Sequence, residues 1–96
     1  MAKTCVISCS VRKGMFPNEV MAEVPIIDRG QNRMAHLFVD KRCFRKVDDV
    51  GGKGELRAWL VREDRKSNLV GIVLPQPTLE NGPNVVMNRS SVLRAR

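Results

Sequence analysis

Apolar and polar positions along this chain recur with a period of two. Cys5, Ile7, Cys9 and Val11 alternate with Thr4, Ser8, Ser10 and Arg12, and Val6 is the one departure. A strand sends successive side chains to opposite faces, so this segment predicts a half-buried strand with small apolar residues inward and hydroxyls outward. Gly14, Pro17 and Asn18 then mark a turn between Lys13 and Glu19. Val20, Ala22, Val24 and Ile26 restart the alternation. Pro25 has no N–H to give a ladder, which places this strand at an edge or a bend.

The same reading continues to the end of the chain. Asp28 to Asn32 is a second turn, and Met34 to Asp40 a strand with Ala35, Leu37 and Val39 opposed to His36, Phe38 and Asp40. Cys43 to Gly54 reads as a long polar, glycine-rich gap. Leu56, Ala58 and Leu60 then alternate with Arg57, Trp59 and Val61, and Asp64 to Asn68 has the length of a hairpin turn. Leu69 to Leu74 is continuously apolar, which predicts a strand buried on both faces and ended by Pro75 and Pro77. Thr78 to Pro83 predicts one helical turn capped by Thr78, followed by an Asn81-Gly82 turn. Val85 to Met87 predicts a last short strand, and Ser90 to Leu93 a return to the core. No internal repeat emerges. About six short strands without a helix predict an all-β fold, a small antiparallel barrel or sandwich, with an SH3-like barrel as the specific expectation.

Composition narrows the class. Ninety-six residues make one domain, 1–96, and 43% hydrophobic with 28% charged residues describes a soluble globular chain rather than a disordered one. There is no apolar run of about 18 residues to span a bilayer, and no signal-peptide pattern at the start, so a cytoplasmic protein is expected. Cys5, Cys9 and Cys43 form no Cys-x-x-Cys pair and have only His36 to join them. Buried free thiols are therefore expected, with no metal and no cofactor.

Lys13-Gly14-Met15-Phe16 with Glu19, then Leu37-Phe38-Val39-Asp40-Lys41, then Val85-Val86-Met87 followed by Ser90, Ser91 and Leu93, resemble a group of short uncharacterised bacterial β proteins. Those proteins are similar to reading frames carried on mobile gene cassettes of integrons. The resemblance covers most of the chain and implies a bacterial accessory protein. It carries no catalytic residues with it.

Candidate chemistry is sparse. Gly51-Gly52-Lys53-Gly54 lacks the hydroxyl residue and the following helix of a phosphate-binding loop, and reads as a flexible connection. His36 with Cys43 is the only conceivable catalytic centre, with Asp40 in reach of His36 along one strand face; a non-catalytic strand histidine and a buried thiol are the simpler reading. Charge says more. Seventeen Lys+Arg against 10 Asp+Glu leave a formal +7, with one cluster at Arg42, Arg45 and Lys46 and another at Arg62, Arg65 and Lys66. Three Phe and one Trp are few rings for stacking bases, and acidic residues interleave the clusters. Met15 and Phe16 in a turn, and Trp59 on the less apolar face of its strand, are candidates for contact with another molecule. The leading expectation is a non-enzymatic interaction module forming a homodimer or other homo-oligomer. The alternative is a nucleic-acid-binding barrel that uses the two basic clusters.

Overall fold

The computed structural model describes residues 3–48, 52–80 and 82–95, with the side chains of Arg94 and Ala95 left aside. Eight strands form: β1 (Lys3–Lys13), β2 (Glu19–Asp28), β3 (Gln31–Asp40), β4 (Phe44–Asp48), β5 (Lys53–Asp64), β6 (Leu69–Thr78), β7 (Gly82–Asn88) and β8 (Val92–Ala95). Single 3₁₀ turns, Lys41–Cys43 and Arg89–Ser91, precede β4 and β8. All pairings are antiparallel, in the order β3-β2-β1-β5-β6-β7, with β4 on β5 and β8 on β1. The sheet curls so that β2 packs on β7 and β3 on β6. This is the expected all-β, barrel-like fold, built from eight strands in place of about six.

The alternation is what closes the core. Cys5, Ile7, Cys9 and Val11 of β1, Leu56, Ala58 and Leu60 of β5, and Val70, Ile72 and Leu74 of β6 all turn inward onto Val20, Ala22, Val24, Leu37 and Val39. Val6, out of phase, is buried as well. Pro25 is tolerated because β1 pairs with β2 only through Glu23 to Val20, so no strand lies beyond to ask for its N–H. Arg29 and Gly30 join β2 to β3 at φ 52° and 76°, the two positive angles of a tight primed hairpin turn.

The order of strands is unchanged when each element is replaced by the one four places on, which describes a pseudo-twofold. The unit β1-β2-β3-turn-β4 recurs as β5-β6-β7-turn-β8. Registers agree on the side of the tips, where Val20 faces Val39 and Ala22 faces Leu37 as Val70 faces Met87 and Ile72 faces Val85; beyond Val73 the β6–β7 ladder shifts, whereas β2–β3 runs unbroken to its turn. The 3₁₀ turns begin on extended residues of equal geometry, Asp40 (φ −68°, ψ 143°) and Asn88 (φ −66°, ψ 142°). Each turn is anchored by one main-chain bond, Lys41 N–H to Asn18 O at 2.9 Å and Arg89 N–H to Asn68 O at 3.0 Å. The axis runs through the Ile7–Leu56 pair, both fully buried.

Several local expectations are corrected. A structural repeat is present that the sequence does not display, because unequal turns and the register shifts at Leu60/Arg62 and Val73/Thr78 leave no fixed period. The Cys43 to Gly54 gap holds β4, whose edge position needs few apolar residues. Leu69, Gly71 and Val73 are half-buried, so β6 is covered on one face only. β6 runs through Pro75 and Pro77 to Thr78, whose hydroxyl donates to Gly82 O at 2.8 Å instead of capping a helical turn. Cys43 is half-buried, unlike Cys5 and Cys9. Gly51 and Asn81, from the expected glycine loop and Asn-Gly turn, lie outside the described residues, as does Arg96.

Candidate functional site

The tip between β1 and β2 satisfies its own backbone. Gly14 N–H donates to Glu19 O at 3.2 Å, Glu19 N–H to Phe16 O at 3.0 Å, and Met15 N–H to the Glu19 carboxylate at 3.0 Å. Glycine is required at 14, since a Cβ there would stand 2.6 Å from the Glu19 carbonyl oxygen. With the polar groups tied inward, Met15 and Phe16 point away, 76% and 67% exposed. They overhang a cleft of about 580 Å³ floored by Val11 and Val20 and rimmed by Arg12, Lys13, Glu19 and Lys41. The pseudo-equivalent tip between β5 and β6 is Arg65-Lys66-Ser67, wholly polar and exposed. There Asp64 accepts from Lys66 N–H at 3.0 Å, and its bonds to Ser67 and Lys66 hold its carboxyl below the usual range. The fold therefore does not need apolar side chains at such a tip.

Trp59 lies elsewhere. It faces outward from β5 between Thr4 of β1 and Val73 of β6, 43% exposed. Thr4 and Lys13 are at opposite ends of β1, about 30 Å apart at strand rise, so Met15, Phe16 and Trp59 do not form one contact.

The basic clusters lie at the two ends of the same outer face of β5. Arg42 bonds Asp40, lowering that carboxyl, and Arg45 bonds Glu55. Lys46 stands opposite Glu55 in the β4–β5 ladder. Arg57 donates to the Arg42 carbonyl at 3.2 Å. Beyond Trp59, Val61 is the extra residue of a bulge: Leu60 pairs with Ile72 but Arg62 with Gly71. That bulge turns Arg62 outward, where strict alternation sends it into the core. Arg65 and Lys66 follow in the exposed turn. A shallow cleft of about 370 Å³ runs beside the ring, lined by Thr4, Val6, Arg45 and Arg57.

His36 does not meet Asp40 or Cys43. Its Nδ1 is 2.6 Å from Glu80 Oε2 and its Nε2 3.6 Å from Glu23 Oε2, while its N–H donates to Glu80 Oε1 at 2.9 Å. Leu79 N–H donates back to His36 O at 2.7 Å, and Arg12 holds Glu23 at 2.6 Å. These contacts lace β1, β2 and β3 to the turn after β6. Glu80 is a partner the sequence could not suggest, since nothing local signals a contact with so distant a strand. Burial pushes the Cys9 thiol up to about 12 and raises Cys5, which suits packing rather than nucleophilic attack. Among the described residues no three His, Cys, Asp or Glu side chains gather to hold a metal ion, and no helix is long and apolar enough to cross a membrane.

The clasp has a measurable consequence. Partial burial pushes the Glu80 carboxyl up, but its hydrogen bonds to His36 outweigh that and hold it below its ordinary value. A carboxyl with a lowered folded-state pKa contributes stability above its unfolded value, about 4.3, and that contribution is lost as pH falls through the folded value. Urea midpoints taken from pH 7 down to pH 3 are expected to fall more steeply in the parent than in Glu80→Gln. Parallel curves refute the clasp.

The chain matches no known family model, no curated protein sequence and no solved structure.

Proposed function

We propose that this protein is a non-enzymatic accessory interaction module, a small β-barrel that associates with a second copy of itself through the Met15–Phe16 tip. The observation that carries this reading is the contrast between the two pseudo-equivalent tips, one apolar and overhanging a cleft, the other polar. A twofold dimer lets each tip enter the other copy's cleft, and lets Lys13 of one copy meet Glu19 of the other across the rim. Burying a Met or Phe side chain contributes about 1.5–3 kcal/mol. Four such side chains per dimer, about 6–12 kcal/mol together, are comparable with an association cost of about 4–15 kcal/mol, so a dimer held by these tips is weak and concentration-dependent. The +7 charge on each copy opposes pairing, and added salt should tighten it by screening.

Sedimentation equilibrium across a concentration series tests this directly. Phe16→Ser is expected to weaken dimerisation at least tenfold while leaving the urea midpoint unchanged at dilutions where both proteins are monomeric, because the ring contributes little to the single chain. A parent protein that stays monomeric at high concentration, or a Phe16→Ser variant that dimerises like the parent, overturns the reading.

A further inference from the structure

We propose that the outer face of β5 binds single-stranded nucleic acid, with Trp59 as the platform for a base and arginines on either side for the flanking phosphates. The pseudo-twofold supplies the comparison. In the first half the outward pair Ser10–Glu23 occupies the register that Trp59–Val73 occupies in the second. Glu23 there neutralises Arg12 at 2.6 Å. In the second half the carboxylate has become Val73 and the small hydroxyl has become an indole. The same frame thus carries a neutral polar patch on one side and a ring flanked by cations outside any ion pair on the other.

Two features aim cations at that ring. Alternation puts Arg57 on the Trp59 face, and the Val61 bulge brings Arg62 onto it as well. Gly71 opposite leaves room for the Arg62 stem: a Cβ at 71 would lie 3.2 Å from Arg62 Cβ. Among the described residues, no carboxylate forms an ion pair with Arg57, Arg62, Arg65 or Lys66, whereas Glu55 on this face is engaged by Arg45, and Glu63, on the other side of the strand end, by Arg89. Cations therefore extend about 20 Å along the strand on both sides of an exposed ring. Guanidinium groups suit phosphate oxygens, and a half-exposed ring on the outer face of the sheet suits an unstacked base, which a duplex does not present. This surface is separate from the Met15–Phe16 tip, so the inference does not rest on self-association.

Fluorescein-labelled oligo-dT and oligo-U, with a duplex of the same length and heparin as comparisons, provide the test. Trp59 is the only tryptophan, so its emission reports contact with a base. Binding of the single strands is expected to quench it and to weaken steeply with salt. Trp59→Ala should weaken binding by about tenfold to a hundredfold. Arg62→Ala should lower the salt slope by about one, while Arg12→Ala should change neither. Phe16→Ser should bind like the parent. The proposal is overturned by no binding at low salt, by tighter binding of the duplex or heparin, or by unchanged affinity in Trp59→Ala.

Discussion

Leu56→Ala is expected to lower the unfolding free energy by about 2–5 kcal/mol, the range for truncating a fully buried leucine. Leu56 sits where the pseudo-twofold passes through the sheet, facing Ile7 of β1 across one ladder and Phe44 of β4 across the other. It is fully buried. Strands hydrogen-bonded on both sides cannot move in to fill the space, so the lost methyl groups leave a cavity shared by both halves of the barrel. Small domains have about 5–15 kcal/mol of stability in total, and a loss of this size removes a large share of it. Urea unfolding followed by far-UV circular dichroism measures the effect. Leu93→Ala, at a position 53% exposed, should stay within about 0.5 kcal/mol of the parent. A Leu56→Ala cost no larger than that of Leu93→Ala contradicts a core centred on the axis.

The alternation that places Leu56 inward could be read directly from the chain, because a period of two survives whatever a strand pairs with. The strands at Cys5–Val11, Val20–Ile26, Ala35–Val39 and Leu56–Leu60 were legible for that reason. Pairing order was not. β4 and β8 are short, and β4 offers only Phe44 and Val47 as apolar markers. The duplication was invisible because what the halves share is inward placement and register, with few identities beyond Asn18 and Asn68 or Val20 and Val70. Met15 and Phe16 stood out because a turn leaves large apolar side chains without a core to enter. Arg62 shows the opposite case. Its parity matches Leu56, Ala58 and Leu60, so counting sends it inward, and only the bulge at Val61 turns it to the outside. The His36–Glu80 contact joins a strand to a distant turn, and no local pattern encodes such a meeting.

Exchanging a packed pair between the halves should show the duplication in energetic terms. Gly54 and Cys5 occupy equivalent inward positions on β5 and β1, and Phe44 and Val92 equivalent positions on β4 and β8. Gly54 against Phe44 is small against large, and the equivalent positions Cys5 and Val92 hold a larger residue and a smaller one. A Cβ on Gly54 would lie 2.9 Å from Phe44 Cε2 and 2.9 Å from Val11 Cγ1, too close for either to remain in place. Gly54→Cys is therefore expected to cost about 1–3 kcal/mol by overpacking, and Phe44→Val a comparable amount through the void it leaves. Combined, the two changes install the Cys5–Val92 solution at the equivalent site, where the thiol occupies space the ring has vacated. The double variant is expected to be more stable than the two separate costs predict, by at least about 1 kcal/mol in a double-mutant cycle from urea midpoints. Additive costs would mean that the two halves share their strand order but not the volume they enclose at this position, and the exchange of size between Gly54–Phe44 and Cys5–Val92 would then be coincidence.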